Sequence, residues 1–421
     1  MSDPVHDQYE AYPYPARDPA DEHARLITGS PSNLPELNHY IFAGRRDFSK
    51  PFRALVAGGG TGDAAIMMAQ QLTDRAGQGR HGGNGGEVVY LDISRAAREV
   101  TEARARERGL KNIPFHSGSL LDLAKFDLGR FDYIDCCGVL HHLEDPSAGL
   151  SALTRVLADD GGMGLMLYAP YGRTGVYPTQ AMLRALAGDL PLMERITVAR
   201  RLLDALPPTN WLKRNPFVAD HRRSDSELVD LLLHARDRAY SIPQIVDLIE
   251  AAGLRLVALI EPARYDPATY FKDQLLLKRL QGLDWPARAA FAEQLAGNIK
   301  KHVFYVVKAS NESNTIALAD SPEAVPVFRE QSGPDLARAV GRDLIMKAEL
   351  DGLRLRFAMP RLAPVILDRI DGETSLGEIH AALQALDTGL DWALFKKQFD
   401  QLFAPLNGLN HLLIGYPARA K

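Results

Sequence analysis

Short apolar runs punctuate this chain, and the stretches between them carry helical patterning. Five runs fall in the first half: Leu55 to Ala57, Val88 to Leu91, Ile113 to Phe115, Phe131 to Val139 and Gly164 to Ala169. Two more follow, Leu254 to Ile260 and His302 to Val307. Most are continuous rather than alternating, as expected of strands buried on both faces of a sheet. The pair Asp159-Asp160 before Gly161-Gly162 reads as a turn ahead of the fifth run. Strand and helix signals in this order predict an α/β fold with seven strands and covering helices.

The first run feeds Gly58-Gly59-Gly60-Thr61-Gly62-Asp63 and then a helix-forming segment, Ala64 to Leu72. The second run ends in a lone carboxylate, Asp92. This is the first half of a Rossmann-like unit. Bare glycine backbone lets an adenosine-bearing ligand approach a helix N-terminus, and the acid accepts hydrogen bonds from ribose hydroxyls. A dinucleotide turn would need glycine at position 63, where Asp63 stands, and no Lys-Ser/Thr pair follows to make a P-loop. Asp92 lies thirty residues beyond Gly62, against about twenty in such units. Residues 77 to 86 contain six glycines and read as a flexible surface loop that accounts for the excess.

The order G-x-G-x-G (Gly58, Gly60, Gly62) resembles motif I of class I S-adenosylmethionine (SAM) methyltransferases. The run Val139-Leu140-His141-His142-Leu143-Glu144-Asp145-Pro146 is similar to the segment after their fourth strand. The resemblance spans roughly residues 51–308 and implies a seven-stranded Rossmann-like sheet with SAM as cofactor and S-adenosylhomocysteine as product. Many relatives carry an acid two places before the first glycine; this chain has Val56. Asp63 or a main-chain carbonyl is the expected substitute for contacting the methionine amino group.

Composition excludes several classes. With 49 basic and 53 acidic residues in 421, the net charge is -4, which does not suit a polyanion-binding protein. The only cysteines, Cys136 and Cys137, are neighbours in a strand and so point to opposite faces, unable to bridge. No run approaches the length of a membrane span and the N-terminus lacks a signal pattern. A soluble, cytoplasmic protein without a metal is expected.

Residues 1–50 read as an N-terminal extension acting as a cofactor lid, and 51–308 as the methyltransferase domain. Residues 171–240 and 263–300 are helical insertions, the first a candidate homodimer contact. Ser241 caps a helix that Gly253 closes. Residues 309–334, rich in Ser, Asn, Pro and Glu, read as a linker. Residues 335–421 suggest helices at Leu362 to Ile370, Ser375 to Leu386 and Asp391 to Pro405, then a hairpin after Asn407-Gly408, a winged-helix-like domain. It carries eleven basic and eleven acidic residues, so nucleic-acid binding is not expected.

The segment Tyr9-Glu10-Ala11-Tyr12-Pro13-Tyr14-Pro15, with Leu37 to Gly44 and the appended tail, is similar to bacterial non-SET protein-lysine methyltransferases of the rickettsial outer-membrane-protein type. That resemblance implies a protein substrate. A small-molecule O- or N-methyltransferase and a non-catalytic SAM-binding protein are the alternatives. Tyr9 and Tyr14 are candidates for facing the sulfonium, which aromatic faces attract. Gly58, Gly60, Gly62 and Gly138 are expected to give backbone approach and Asp92 to hold the ribose. Ile93 is expected against the adenine, with Ser119 and Leu120 at its edge. His141 and His142 are candidate bases, one facing the site and one behind it, and Tyr168 a candidate channel residue.

Overall fold

The computed structural model describes residues 3–78, 86–340 and 343–417. Most of the glycine-rich loop expected at 77–86 lies outside them. Seven strands form one sheet: β1 Arg53–Ala57, β2 Glu87–Asp92, β3 Phe115–Ser117, β4 Phe131–Cys137, β5 Leu157–Tyr168, β6 Leu254–Ile260 and β7 Lys301–Lys308. Their order is β3-β2-β1-β4-β5-β7-β6. Only β7 runs against its neighbours, β5 and β6. Apolar side chains on both faces explain the continuous runs. Leu55, Val89 and Ile134 pack into one core, while Val56, Tyr90 and Tyr133 pack into the other.

The fifth strand is longer than its apolar run. It begins at Leu157 and includes the Asp159 to Gly162 segment read as a turn. Opposite it, β4 advances from Phe131 to Tyr133 while β5 advances from Leu157 to Gly162. The turn residues therefore make an irregular excursion within a strand rather than ending one.

Helices cover the sheet where expected: Asp63–Gln78 and Arg95–Glu107 follow β1 and β2, and Pro146–Val156 follows β4. Ile242–Ala251 opens on Ser241, whose N–H donates to Gln244 Oε1 at 2.9 Å. The 171–240 block contributes Val176–Ala187, Leu192–Ala205, Trp211–Arg214 and Asp225–Leu232, with a small core of its own. Gln274–Leu280 and Trp285–Ala296 form the second insertion.

The N-terminal extension is more structured than a lid. Pro4–Ala11 and Leu34–Tyr40 are helices. Leu34 and Leu37 are buried among the sheet residues, and Tyr40 stacks on Tyr305 of β7.

Residues 309–334 are not a free linker. Thr315, Ala317 and Ala324 are buried, and the Ala317 N–H donates to His39 O at 2.7 Å. The strand β8 (Val325–Phe328) pairs antiparallel with β11 (Leu412–Gly415). The polar composition had hidden a strand only four residues long. In the tail, Ala363–Leu367, Leu376–Gln384 and Trp392–Gly408 match the three expected helices. The expected hairpin after Asn407-Gly408 is corrected: those residues end a helix, and the strand that follows pairs with β8. A true hairpin lies earlier, β9 (Ile345–Leu350) with β10 (Leu353–Ala358).

Candidate active site

A cavity of about 1240 Å³ opens over the carboxyl ends of β1, β2, β4 and β5, where ligands of open α/β sheets bind. It is lined by Tyr9, Tyr14, Gly58, Gly60, Asp92, Ile93, Ser119, Leu120, Gly138, His142 and Tyr168 among the anticipated residues. Gly62 and His141 are not on its wall.

The glycine turn is shaped for close approach. Gly58 and Gly60 have φ of +77° and +51°. A Cβ on Gly58 would lie 2.3 Å from Val139, and one on Gly60 would lie 2.7 Å from Tyr14 O. Gly62 serves differently from expectation: its missing side chain leaves room for Thr101, which a Cβ would meet at 2.4 Å. It packs the turn on the helix behind rather than exposing backbone to a ligand. Asp92 Oδ2 accepts the Gly60 N–H at 2.7 Å and Oδ1 the Ser94 N–H at 2.8 Å. Burial raises its pKa, and these amides oppose the shift. The acid is thereby aimed from the tip of β2 into the cavity beside the turn. A tightly packed glycine turn that borders the cavity at Gly58, Gly59 and Gly60, with the Asp92 carboxylate beside it, fits a SAM nucleoside.

Residues 14–32 roof this end. Tyr14 O accepts from Thr61 N, and Pro15 O accepts from Thr61 Oγ1 at 2.6 Å. Arg17 forks onto Asp63 at 2.9 and 2.6 Å, and Arg104 reaches the same carboxylate at 2.8 Å. Asp63, expected to stand in for the absent acid at position 56, is thus occupied by two guanidinium groups.

At the other end, three strand positions across the sheet from Asp92, two tyrosine hydroxyls converge on one carboxylate. Tyr168 Oη donates to Asp230 Oδ2 at 3.1 Å, and Tyr9 Oη donates to Asp230 Oδ1 at 3.3 Å. Tyr14 Oη donates to Glu227 at 3.3 Å. The Arg236 N–H donates to His234 Nδ1 at 3.0 Å, which leaves the proton on Nε2, 3.1 Å from Tyr9 Oη. His142 Nδ1 lies 2.7 Å from Arg236 O and must donate, so its Nε2 carries the lone pair. Burial, the largest cause in each case, pushes Asp230 up to about 7 and His142 down to about 4.

The two adjacent histidines part company. His142 lines the cavity, whereas His141 stacks on Tyr168 with ring centroids 4.1 Å apart. Among the described residues neither ring nitrogen of His141 has a hydrogen-bond partner, so it packs rather than relays protons. Asp230, His234 and Glu227, all in the 171–240 block, escaped sequence reading. The one available signal was the four-residue spacing of Asp230 and His234 beside Asp237. Single ligand atoms of His142, Asp230 and His234 lie within 4.8 Å of one another. The imidazoles, however, are stacked 3.7 Å apart at 17°. Imidazole lone pairs lie in the ring plane, so two nearly parallel rings cannot both point at one ion.

The fold and the glycine turn are those of a class I SAM-dependent methyltransferase domain. Residues 55–163 match the family model described as a methyltransferase domain. An uncharacterized protein of Synechococcus sp. is 29% identical over 310 residues, spanning 71% of this chain and 70% of that protein. The uncharacterized methyltransferase YcgJ of Bacillus subtilis is 29% identical over 119 residues, 28% of this chain and 42% of its own. The structure of PKMT2 from Rickettsia typhi in complex with AdoHcy superposes with a TM-score of 0.66 at 14% identity. That match covers 92% of this chain and 76% of that one, and at this identity it speaks to the fold. No helix among the described residues is long and apolar enough to cross a membrane.

Proposed function

We propose that the protein methylates an amine, and that the acceptor is a lysine side chain of another protein. The observation that carries this reading is the buried carboxylate of Asp230, beside His142. A carboxylate on the cavity wall, held by two tyrosine hydroxyls, suits an alkylammonium ion, which its charge draws. The similarity of the Tyr9–Pro15 segment to protein-lysine methyltransferases supports the acceptor, as does a fold shared with PKMT2 of Rickettsia typhi over most of the chain.

When bound, SAM supplies an electrophilic methyl group on a sulfonium that departs as a thioether. The chain's own residues have three tasks: alignment, exclusion of water and removal of a proton. An amine must lose a proton to expose its lone pair. Asp230, titrating near neutrality, can take that proton at pH 7 and above. His142 Nε2, neutral at that pH, offers a second acceptor on the same wall. Tyr9 and Tyr168 fix the Asp230 carboxylate by hydrogen bonds to different oxygens.

Purified protein incubated with methyl-labelled SAM and a cell lysate should leave label on macromolecules, recoverable as methyl-lysine after hydrolysis. Asp230→Asn should abolish at least about 90% of it, given the 10²–10⁴-fold usual for a general base. Label confined to extractable metabolites would sink the protein acceptor and leave the small-molecule alternative. No transfer to either, with cofactor still bound, would leave a SAM-binding protein that is not an enzyme.

A further inference from the structure

Position 56 of β1 lacks the acid that relatives place before the first glycine, and Asp63 is taken by Arg17 and Arg104. One strand over, the register supplies another. Val56 pairs directly with Asp135 of β4, and residues paired across parallel strands project to the same face of the sheet. Both line the cavity. Asp135 is 2% exposed. Its donors are the Ser32 hydroxyl at 2.5 Å and the Cys137 thiol at 3.7 Å, both on Oδ2, with the Cys137 amide adding to them. Among the described residues no side-chain donor reaches Oδ1, and no cation pairs with this carboxylate.

Asp92 and Asp230, which also line the cavity, likewise have no cation partner among the described residues, whereas buried acids elsewhere are paired. Glu36 pairs with Arg329, Glu22 with Arg104 and Arg108, Asp237 with Arg173, and Glu293 meets His302. Burying a carboxylate without a cation is costly. Burial alone pushes Asp135 up to about 6 despite its three donors. A structural role would be served better by Asn or by an apolar side chain packed beside Val56. The site is also held in place from above. Tyr133 Oη, two residues earlier on β4, donates to Pro31 O at 2.8 Å, and Pro31 adjoins Ser32. The N-terminal segment is thus pinned where Ser32 can orient the acid.

We propose that Asp135, oriented by Ser32, binds the α-ammonium group of the methionine moiety of SAM, replacing the acid missing from β1. The inference rests on the SAM reading and adds to it where the amino-acid end of the cofactor lies. It follows that the carboxylate acts on the methionyl portion alone and not on the nucleoside.

The test is a cycle of ligand against protein, read by calorimetry above pH 7. The ligands are S-adenosylhomocysteine, its deaminated analogue lacking only the α-amino group, and 5′-methylthioadenosine, which lacks the whole amino-acid portion. Wild-type protein should bind the deaminated analogue at least about tenfold more weakly than S-adenosylhomocysteine, as a lost charge-assisted hydrogen bond requires. Asp135→Asn should weaken S-adenosylhomocysteine by a similar factor, leave 5′-methylthioadenosine within about twofold, and remove the penalty of deamination. Equal affinity of the wild type for the first two ligands overturns the inference even if the variant does not fold. An Asp135→Asn protein that binds all three as the wild type does also overturns it. Wild-type protein that binds none of them would remove the cofactor reading as well.

Discussion

At the scale of single residues, the nucleoside end depends on two features with separable failures. Asp92→Ala removes the rim carboxylate, and SAM affinity should fall by about one to two orders of magnitude in a calorimetric titration. Gly60→Ala should fail for a conformational reason, since φ is +51° and the new methyl group would meet the Tyr14 carbonyl. Left-handed backbone costs alanine about 1–2 kcal/mol before the clash is counted, a loss that urea denaturation would register. Asp230 gives a pH signature. Below pH 7 its carboxyl is protonated, and above pH 7 it is charged and able to hold an ammonium or take a proton. The kcat/KM for an amine acceptor should therefore climb with a midpoint near pH 7, and residual activity of Asp230→Asn should lack that limb. The sign for stability is opposite. The unfolded carboxyl ionises near 3.8, so between there and pH 7 the folded chain holds a proton the unfolded chain has lost. The group's contribution to stability is fully present below that window and fades as the pH rises through it.

At the scale of elements, the Leu34–Tyr40 helix joins sheet to tail. Glu36 within it is fully buried and accepts from Ser30, Tyr305 and Arg329. Arg329→Ala would strand that carboxylate and should cost about 3 kcal/mol or more in chemical denaturation. The central strands were legible because burial on both faces writes an uninterrupted apolar run, and β6 emerged with both of its boundaries. The elements that escaped are those whose pairing is remote. Nothing local to Val325–Phe328 announces a partner in Leu412–Gly415, more than eighty residues on. Nor does an Asp-Asp-Gly-Gly sequence reveal that its neighbour strand will hold it extended. The cofactor half of the site was legible for a related reason, since a turn and the strand after it are written contiguously. The acceptor half was not. Its carboxylate and second imidazole come from an inserted block whose helices reveal which face turns inward only once they are packed.

At the scale of the whole molecule, the tail is no appendage. Leu413 is buried among residues of the main sheet's core. Tyr40 Oη donates to Asn410 at 3.0 Å, and His39 Nδ1 accepts the Ile414 N–H at 3.0 Å. Calorimetric unfolding should therefore show one transition, and limited proteolysis should release no stable fragment ending near residue 308. Two resolved transitions would contradict this.

The same N-terminal segment that is stitched to the glycine turn through Thr61 and Asp63 also roofs the cleft. Should departure of the spent nucleoside require those stitches to part, release rather than chemistry would set the turnover rate. Rapid-quench experiments should then reveal a burst of methylated product amounting to about one equivalent of enzyme, followed by a slower steady rate. Loosening the clasp with Arg17→Ala should quicken the later phase while the burst itself keeps its pace.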